Sequence, residues 1–166
     1  MSEQFFIAGA TGYTGRELVR ISASKGIKTR AHVRPDSPRR EEWSEQFKSW
    51  GATATSVPWD HSALESDFTA NPPTHIFAVL GTTKSRTRDE RRSGMQTTGY
   101  DGVDYGLTKM AYDAATVLEH PPVFIYLSSL GADATRRNAY LEARYRIEHM
   151  LFKGPLPYLI FRPAFI

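Results

Sequence analysis

Residues 4–20, QFFIAGATGYTGRELVR, decide the fold of this chain. A short apolar run, Phe5 to Ala8, meets three glycines in the spacing GxxGxxG, and an amphipathic helix pattern follows at once. Glycine suits a tight turn and a close approach of backbone to another group. Because the N–H groups at a helix start are unpaired and partly positive, an anion binds there favourably. The stretch predicts a strand, a glycine turn for a pyrophosphate, and a helix.

The rest of the chain alternates in the same way. Apolar runs predict strands at Phe5–Ala8, Lys28–Val33, Thr53–Val57, His75–Leu80, 123–127 and Tyr158–Phe161. Helical spacing predicts helices at Gly12–Lys25, Glu41–Trp50, Val103–Leu118 and Ala139–Phe152, with a short helical turn near Ala63–Phe68. The polar stretch Lys84–Gly99 is predicted to be a long loop. This alternation predicts one α/β domain over residues 1–166, a doubly wound parallel sheet with helices on both faces.

The composition of the chain argues against several classes of function. The chain has 166 residues, 40% hydrophobic and 23% charged, which is typical of a globular domain. It has no cysteine, and its five histidines lack metal-ligand spacing, so disulfides, thiolate sites and a metal centre are not expected. The net charge of +3, with no aromatics among Lys84–Arg92, does not favour nucleic acid. No run approaches the ~20 apolar residues of a membrane span, and we expect a cytoplasmic protein.

The end of the second strand bears on the choice of dinucleotide. NAD-binding folds usually place an acidic residue there, whereas this chain has Arg34. A guanidinium suits a 2′-phosphate, and Arg39 and Arg40 could add positive charge. Asp36 is interpreted as a turn residue. NADP(H) is therefore favoured over NAD(H).

Three further positions are candidates for the site. Asp60 follows the third strand, where it could accept from an adenine amino group or, equally, cap a helix. Tyr140 and Arg144 are four apart on a predicted helix and share a face. A cation beside a tyrosine favours the phenolate. A core tyrosine and a surface arginine are the alternative explanation of that spacing.

Five short motifs follow one another along the chain: GATGYTG, LGTT after the fourth strand, LSSLGAD after the fifth, YLEAR on the next helix, and FRP at the end. Together they resemble the atypical short-chain dehydrogenase/reductases, NmrA-like and close to the Tat-interacting-protein oxidoreductases. The resemblance covers essentially the whole chain. It implies a Rossmann-type fold that binds NADP(H), with a Ser, Tyr and Lys active-site set.

Carried over by position, the resemblance implies catalytic roles for Ser129 (with Ser128 as the fallback) and Tyr140. Arg34 matches the 2′-phosphate arginine of the family, and Leu80, Gly81 and Thr82 match its nicotinamide-side loop. The full set of predicted cofactor-binding residues is Gly9, Thr11, Gly12, Tyr13, Thr14, Gly15, Arg34, Asp60, Leu80, Gly81, Thr82, Tyr140, Arg144 and Pro163.

The chain departs from the family at two places. The lysine position of the YxxxK motif is Arg144, which keeps the charge but is longer, planar and ill suited to relay a proton. This leaves catalysis open while cofactor binding is little affected. The family usually continues beyond its RP motif with segments that close over substrate, whereas this sequence ends at Ile166. Either the sequence is partial or the protein lacks these segments, and we expect the latter.

Three functions are compatible with these features of the sequence. The first is an NADP(H)-dependent oxidoreductase that moves a hydride between nicotinamide and a small carbonyl or alcohol, with Arg144 placing ribose and charge. The second is a non-catalytic NADP(H)-binding sensor or regulator of the NmrA kind. The third is an interaction role with an empty pocket. A homodimer through the helices Val103–Leu118 and Ala139–Phe152, or another protein partner, fits any of these.

Overall fold

The computed structural model describes residues 2–81 and 99–164, which form a parallel sheet flanked by helices. The strands are β1 (Gln4–Ala8), β2 (Lys28–His32), β3 (Thr53–Thr55), β4 (His75–Ala78), β5 (Val123–Leu127) and β6 (Tyr158–Phe161). The helices are α1 (Tyr13–Ser24), α2 (Arg40–Ser49), α3 (His61–Ala70), α4 (Thr108–Thr116) and α5 (Ala139–Lys153), with a π-helical segment, Tyr100–Leu107, running into α4.

The sheet has the order β3-β2-β1-β4-β5-β6, and every pair is parallel. In the register of the central strands, Phe6 lies opposite Arg30 of β2 and Ile76 of β4. The chain steps outward from β1 to β3 and then crosses back to add β4 on the other side. The predicted doubly wound, Rossmann-type α/β sheet is therefore confirmed.

Each face of the sheet has its own apolar core. Successive side chains of a strand point to opposite faces, so Phe6 of β1 joins one core while Ile7 joins the other. The Phe6 core contains residues of α3, α4 and α5. The Ile7 core contains residues of α1 and α2, including Phe47, with Trp43 and Trp50 packed around it. These three aromatics are thus core contacts against the sheet.

The π-helical segment is the main departure from the predicted elements. The pattern indicated one α-helix over Val103–Leu118, whereas the structure has Tyr100–Leu107 as a π-helix and only Thr108–Thr116 as α-helix. Gly102 and Gly106 lower the α-helical preference of this stretch, and Asp104 within it forms a buried ion pair. The predicted helical turn near Ala63–Phe68 is a longer helix, α3. The predicted loop Lys84–Gly99 lies outside the described residues except at Gly99.

Candidate functional site at the carboxyl edge of the sheet

The glycine turn, Gly9–Gly15, joins β1 to α1 with very little space around its backbone. The amide of Gly12 donates to the Gly9 carbonyl oxygen at 3.0 Å. A Cβ added at Gly15 would lie 2.1 Å from that same oxygen and 2.8 Å from the Cα of Ala10. Gly9 has a φ of +87°, and its own Cβ would meet the Val79 carbonyl oxygen at 2.7 Å. The predicted strand, turn and helix are all present.

The turn also leaves the start of α1 open. Gly12 is the N-cap and has no side chain with which to cap the helix. Thr11 and Thr14 are half-buried, whereas Tyr13 is 75% exposed. The strands β2 and β3 lie on one side of β1, and β4, β5 and β6 lie on its other side. In doubly wound sheets a crevice opens at the point where the strand order reverses in this way. The N–H groups of the first turn of α1 face an edge suited to an anion.

Arg34 follows β2 at the same edge. Its side chain is 42% exposed, and Nη1 is 3.5 Å from Oδ2 of Asp36, which is a long and exposed contact. Arg39, by contrast, already donates from Nε to Glu42 at 2.7 Å. Of the basic residues in this loop, Arg34 is therefore held less tightly than Arg39.

Asp60 is the N-cap of α3. Its Oδ1 accepts from the Ala63 amide at 3.0 Å and from the Ser62 hydroxyl at 2.6 Å. These bonds, the Ser62 bond foremost, lower the pKa of the Asp60 carboxyl. The helix cap, one of the two predicted roles of Asp60, is thus present, and the carboxylate is still exposed at the carboxyl edge.

A cavity of about 560 Å³ lies against the sheet on the α1 side. Two predicted cofactor residues meet at it, Thr14 from the start of α1 and Pro163 after β6. Its other lining residues are mainly apolar and come from α1, from β4, β5 and β6, and from the positions directly after β4 and β6: Leu18, Phe77, Val79, Ile125, Leu127, Phe161 and Arg162. Residues from opposite ends of the chain therefore share one hollow.

Arg144 is buried rather than exposed, with 5% of its surface accessible. Its Nη2 donates to Oδ1 of Asp104 at 2.8 Å, and its Nη1 donates to the Leu127 carbonyl and the Tyr126 hydroxyl, both at 3.1 Å. Both nitrogens also lie 3.3 Å from the Leu80 carbonyl oxygen. The guanidinium thus joins α5 to the ends of β4 and β5 and to the π-helical segment.

Electrostatics keep this arrangement fixed. Burial opposes the charge of Arg144, but the nearby Tyr126 and Asp104 outweigh it and raise the pKa of the guanidinium. Burial also raises the pKa of Tyr126 to about 12, so its hydroxyl stays neutral and accepts the hydrogen bond from Arg144. A Cβ added at Gly81 would lie 3.4 Å from Nη2 of Arg144. The Leu80–Gly81 segment therefore rests on Arg144, while Thr82 lies outside the described residues.

Tyr140 is half-buried at the start of α5. The centre of its ring is 5.0 Å from Cζ of Arg144, and it meets the Tyr100 ring edge to face at 5.4 Å. The predicted pair Tyr140 and Arg144 does share one helix face, but the arginine of the pair lies in the interior.

The two serines after β5 differ sharply. Ser128 is fully buried, and its hydroxyl donates to Oε1 of Glu148 at 2.6 Å. Ser129 is half-buried, and its hydroxyl makes one long contact, 3.4 Å to the Leu130 carbonyl oxygen. Ser129 is therefore the serine of the two with a hydroxyl available to a ligand.

Two polar residues at this edge, Asp104 and Glu148, were not predicted from the sequence. Asp104 pairs with Arg144, and Glu148 accepts two bonds from Arg162 as well as one from Ser128. A signal for Glu148 existed: it lies four residues after Arg144 and eight after Tyr140, on the same helix face. No comparable pattern singled out Asp104.

Two classes of site find no support in the part of the chain that the structure describes. No group of three or more histidine or acidic side chains is placed to hold a metal ion among residues 2–81 and 99–164. Over the same residues, no helix combines the length and apolar character needed to cross a bilayer.

Comparison with known proteins shows the fold. No family model matches the chain, and no curated protein sequence matches it. Solved structures do match. AtPrR2, solved with NADP+ and (+)pinoresinol, matches 96% of this chain at a TM-score of 0.72 and 15% identity, over 50% of its own length. The UDP-Glc/GlcNAc 4-epimerase of Campylobacter jejuni matches 97% of the chain at a TM-score of 0.75 and 10% identity, over 53% of its own length.

A short-chain dehydrogenase from Streptomyces avermitilis also matches, over 98% of this chain and 66% of its own, with a TM-score of 0.60 and 17% identity. The chain thus spans about half the length of the first two structures. At these identities the likeness establishes a shared architecture, the Rossmann-type sheet.

Proposed function

We propose that this chain binds a nicotinamide dinucleotide across the carboxyl edge of its sheet, prefers NADP(H), and acts as an oxidoreductase on a small carbonyl or alcohol. The observation that carries the proposal is the glycine turn. It places an uncapped helix N-terminus at the point where the strand order reverses, with Gly15 close against Gly9. A pyrophosphate is the ligand that such a turn suits.

The other cofactor contacts are assigned from this turn outward. Arg34, partly exposed after β2, would bind the 2′-phosphate. Asp60 would lie near the adenine, and Leu80 and Gly81 near the nicotinamide. The neighbour AtPrR2 was solved with NADP+, which is in keeping with this choice.

The reaction would use the groups at the α5 end of the site. The cofactor supplies or accepts the hydride when bound. Tyr140 would exchange a proton with the substrate oxygen, and the hydroxyl of Ser129 would orient the same oxygen by a hydrogen bond. Arg144 would act from behind Tyr140, with its charge 5.0 Å from the ring centre.

A second candidate is favoured by Arg144 itself. Because its two terminal nitrogens already donate to protein acceptors, Arg144 is poorly placed to contact a ribose as the lysine of related enzymes is expected to. A non-catalytic NADP(H)-binding regulator would need no such contact. It predicts dinucleotide binding without turnover on broad carbonyl panels.

Binding is tested by titrating the protein with NADPH and NADH and following the fluorescence of the nicotinamide. We expect saturable binding, tighter for NADPH. Absence of binding at high micromolar concentration would rule out both candidates and leave an interaction role.

Turnover is tested with Tyr140→Phe, against Tyr145→Phe on the same helix as the control. Loss of a proton-transfer group should lower kcat about 100-fold or more, whereas Tyr145→Phe should match the wild type. If Tyr140→Phe also matched the wild type on an active substrate, its catalytic role would be wrong. If wild type bound NADPH without turnover and Arg144→Lys gained activity, the chain would be a lapsed enzyme serving as a sensor.

A further inference from the structure

The carboxylate of Glu148 is buried at the edge of the sheet, with 1% of the residue exposed. Its Oε1 accepts from the Ser128 hydroxyl at 2.6 Å and from Nε of Arg162 at 2.8 Å. Its Oε2 accepts from Nη2 of Arg162 at 2.6 Å. A buried carboxylate is tolerated only when it is paired and hydrogen-bonded. Glu148 meets this condition by binding the ends of two neighbouring strands at once.

Glu148 thereby fixes the segment that carries Ser129. Beyond the strands, the Ser128 amide donates to the Phe161 carbonyl at 2.7 Å, and the Leu130 amide donates to the Pro163 carbonyl at 3.0 Å. Ser129 lies between these two tied residues. The backbone around its hydroxyl is therefore held on both sides.

Glu148 also shares a helix face with Tyr140. Residues 140, 144 and 148 are spaced by four, so Tyr140, Arg144 and Glu148 follow one another along one side of α5. Arg144 binds the ends of β4 and β5, and Glu148 binds the ends of β5 and β6. The bond from Glu148 to Ser128 is thus a direct link between the helix of Tyr140 and the segment of Ser129.

We propose that Glu148 is a positioning residue, which sets the distance between the Ser129 hydroxyl and Tyr140 through its bonds to Ser128 and Arg162. The proposal rests on the proposed function for its catalytic meaning. Because 1% of Glu148 is exposed, it would act through Ser128 and Arg162 and not by its own contact with cofactor or substrate.

The first test compares Glu148→Gln and Ser128→Ala with Asp133→Asn. Asp133 accepts from Nη1 of Arg162 at 2.9 Å, but its side chain is 63% exposed, so it is the solvent-facing end of the same network. We expect Glu148→Gln to lower kcat about tenfold to 100-fold, with Kd for NADPH changed less than about twofold. Ser128→Ala should shift kcat in the same direction, the double variant should be no worse than Glu148→Gln, and Asp133→Asn should match the wild type.

A purely structural role would produce a different pattern. If Glu148→Gln lowered NADPH affinity in step with kcat, or folded normally and kept a kcat within about twofold of wild type, the proposal would be overturned. If Glu148→Gln fails to fold, Ser128→Ala decides by the same criteria, since it removes one hydroxyl and leaves the Glu148–Arg162 pair in place.

A second readout does not depend on turnover. In protein labelled with 3-fluorotyrosine, the ¹⁹F signal of Tyr140 is assigned by its loss in Tyr140→Phe. We expect Ser128→Ala and Glu148→Gln to shift or broaden this signal and to leave that of the exposed Tyr13 unchanged. A Tyr140 signal identical to wild type in both folded variants would contradict the positioning role. Wild-type protein that binds NADPH without any turnover would instead contradict the proposed reaction, and the Tyr140 signal would still test the link.

Discussion

The glycine turn and the polar face of α5 lie at the same edge of the sheet, yet their polar groups are used differently. At the glycine turn, the first N–H groups of α1 meet no capping side chain from Gly12, and Arg34 is 42% exposed. On α5, Arg144 and Glu148 are almost fully buried and bonded to strand ends. The glycine turn leaves its polar groups open, whereas the α5 face uses its polar groups to hold the ends of the strands together.

This contrast separates the residues expected to set the affinity for the dinucleotide from those expected to set the positions of the reactive groups. Variants at the glycine turn and at Arg34 should change what the protein binds. Variants on the α5 face should change stability and the spacing of reactive groups more than they change binding.

The largest effect is expected for Arg144→Gln. Removing the cation breaks the buried ion pair between the Arg144 guanidinium and the carboxylate of Asp104, whose side chain is fully buried. Breaking a buried pair costs about 3–5 kcal/mol, and we expect a loss of that size in the free energy of unfolding, measured with urea. The control, Arg146→Gln, loses an exposed pair with Asp101 and should cost less than about 1 kcal/mol. Equal losses would show that Arg144 is not a structural tie.

Gly15→Ala should come next. Its Cβ would meet backbone atoms at 2.1 and 2.8 Å, which cannot give way as a flexible side chain can. We expect a loss of about 3 kcal/mol in stability, together with loss of NADPH binding. Gly26→Ala is the matched control, because Gly26 has a φ of +73° but no atom within 4 Å of its Cβ position. It should cost about 1 kcal/mol and leave binding intact. A larger loss of stability in Gly26→Ala than in Gly15→Ala would refute the steric argument.

Arg34→Ala tests the ligand-facing region alone. Loss of a charge-assisted bond to a 2′-phosphate should weaken NADPH binding about tenfold or more, while NADH binding should change by less than about twofold. Arg20→Ala, which removes an exposed arginine paired with Glu17 on α1, should alter neither. Equal losses for the two nucleotides would remove the basis for an NADP(H) preference.

The smallest effect concerns His32, buried at the end of β2 with Nε2 2.8 Å from the Val57 carbonyl oxygen. Burial lowers the pKa of His32 below its ordinary 6.5. The unfolded chain therefore binds a proton more readily, so stability is full above about pH 6.5 and falls as pH drops towards the folded pKa, by at most about 1.4 kcal/mol per pH unit. In His32→Gln the midpoint of urea unfolding should depend less on pH over that range, whereas in the exposed control His120→Gln its pH dependence should match that of the wild type. An unchanged slope in His32→Gln would contradict the assignment.

The fold could be predicted because its signals are local. The apolar run, glycine spacing and helix pattern of residues 4–20 each depend on near neighbours in sequence, and the structure reproduces all three. The strand positions followed for the same reason. The π-helical form of Tyr100–Leu107 did not, because Asp104 is bonded to a residue 40 positions away.

The site could be predicted only in part. Sequence spacing correctly placed Tyr140 and Arg144 on one helix face, but it could not show that Arg144 is buried, since its acceptors at Leu80, Leu127 and Asp104 come from three other elements. Likewise, the family resemblance favoured Ser129 over Ser128, but the local sequence gave no physical reason for that choice. The bond from Ser128 to Glu148, 20 residues on, makes that distinction.

The most direct test of the central claim is to add NADPH to ¹⁵N-labelled wild-type protein and to map which backbone amide signals move. If the dinucleotide lies in the glycine turn, the largest shifts should fall on Gly9, Gly12, Gly15 and Arg34, with smaller ones at Gly81. Saturating NADPH that leaves the glycine-turn signals in place, or that moves only signals elsewhere in the chain, would contradict the account.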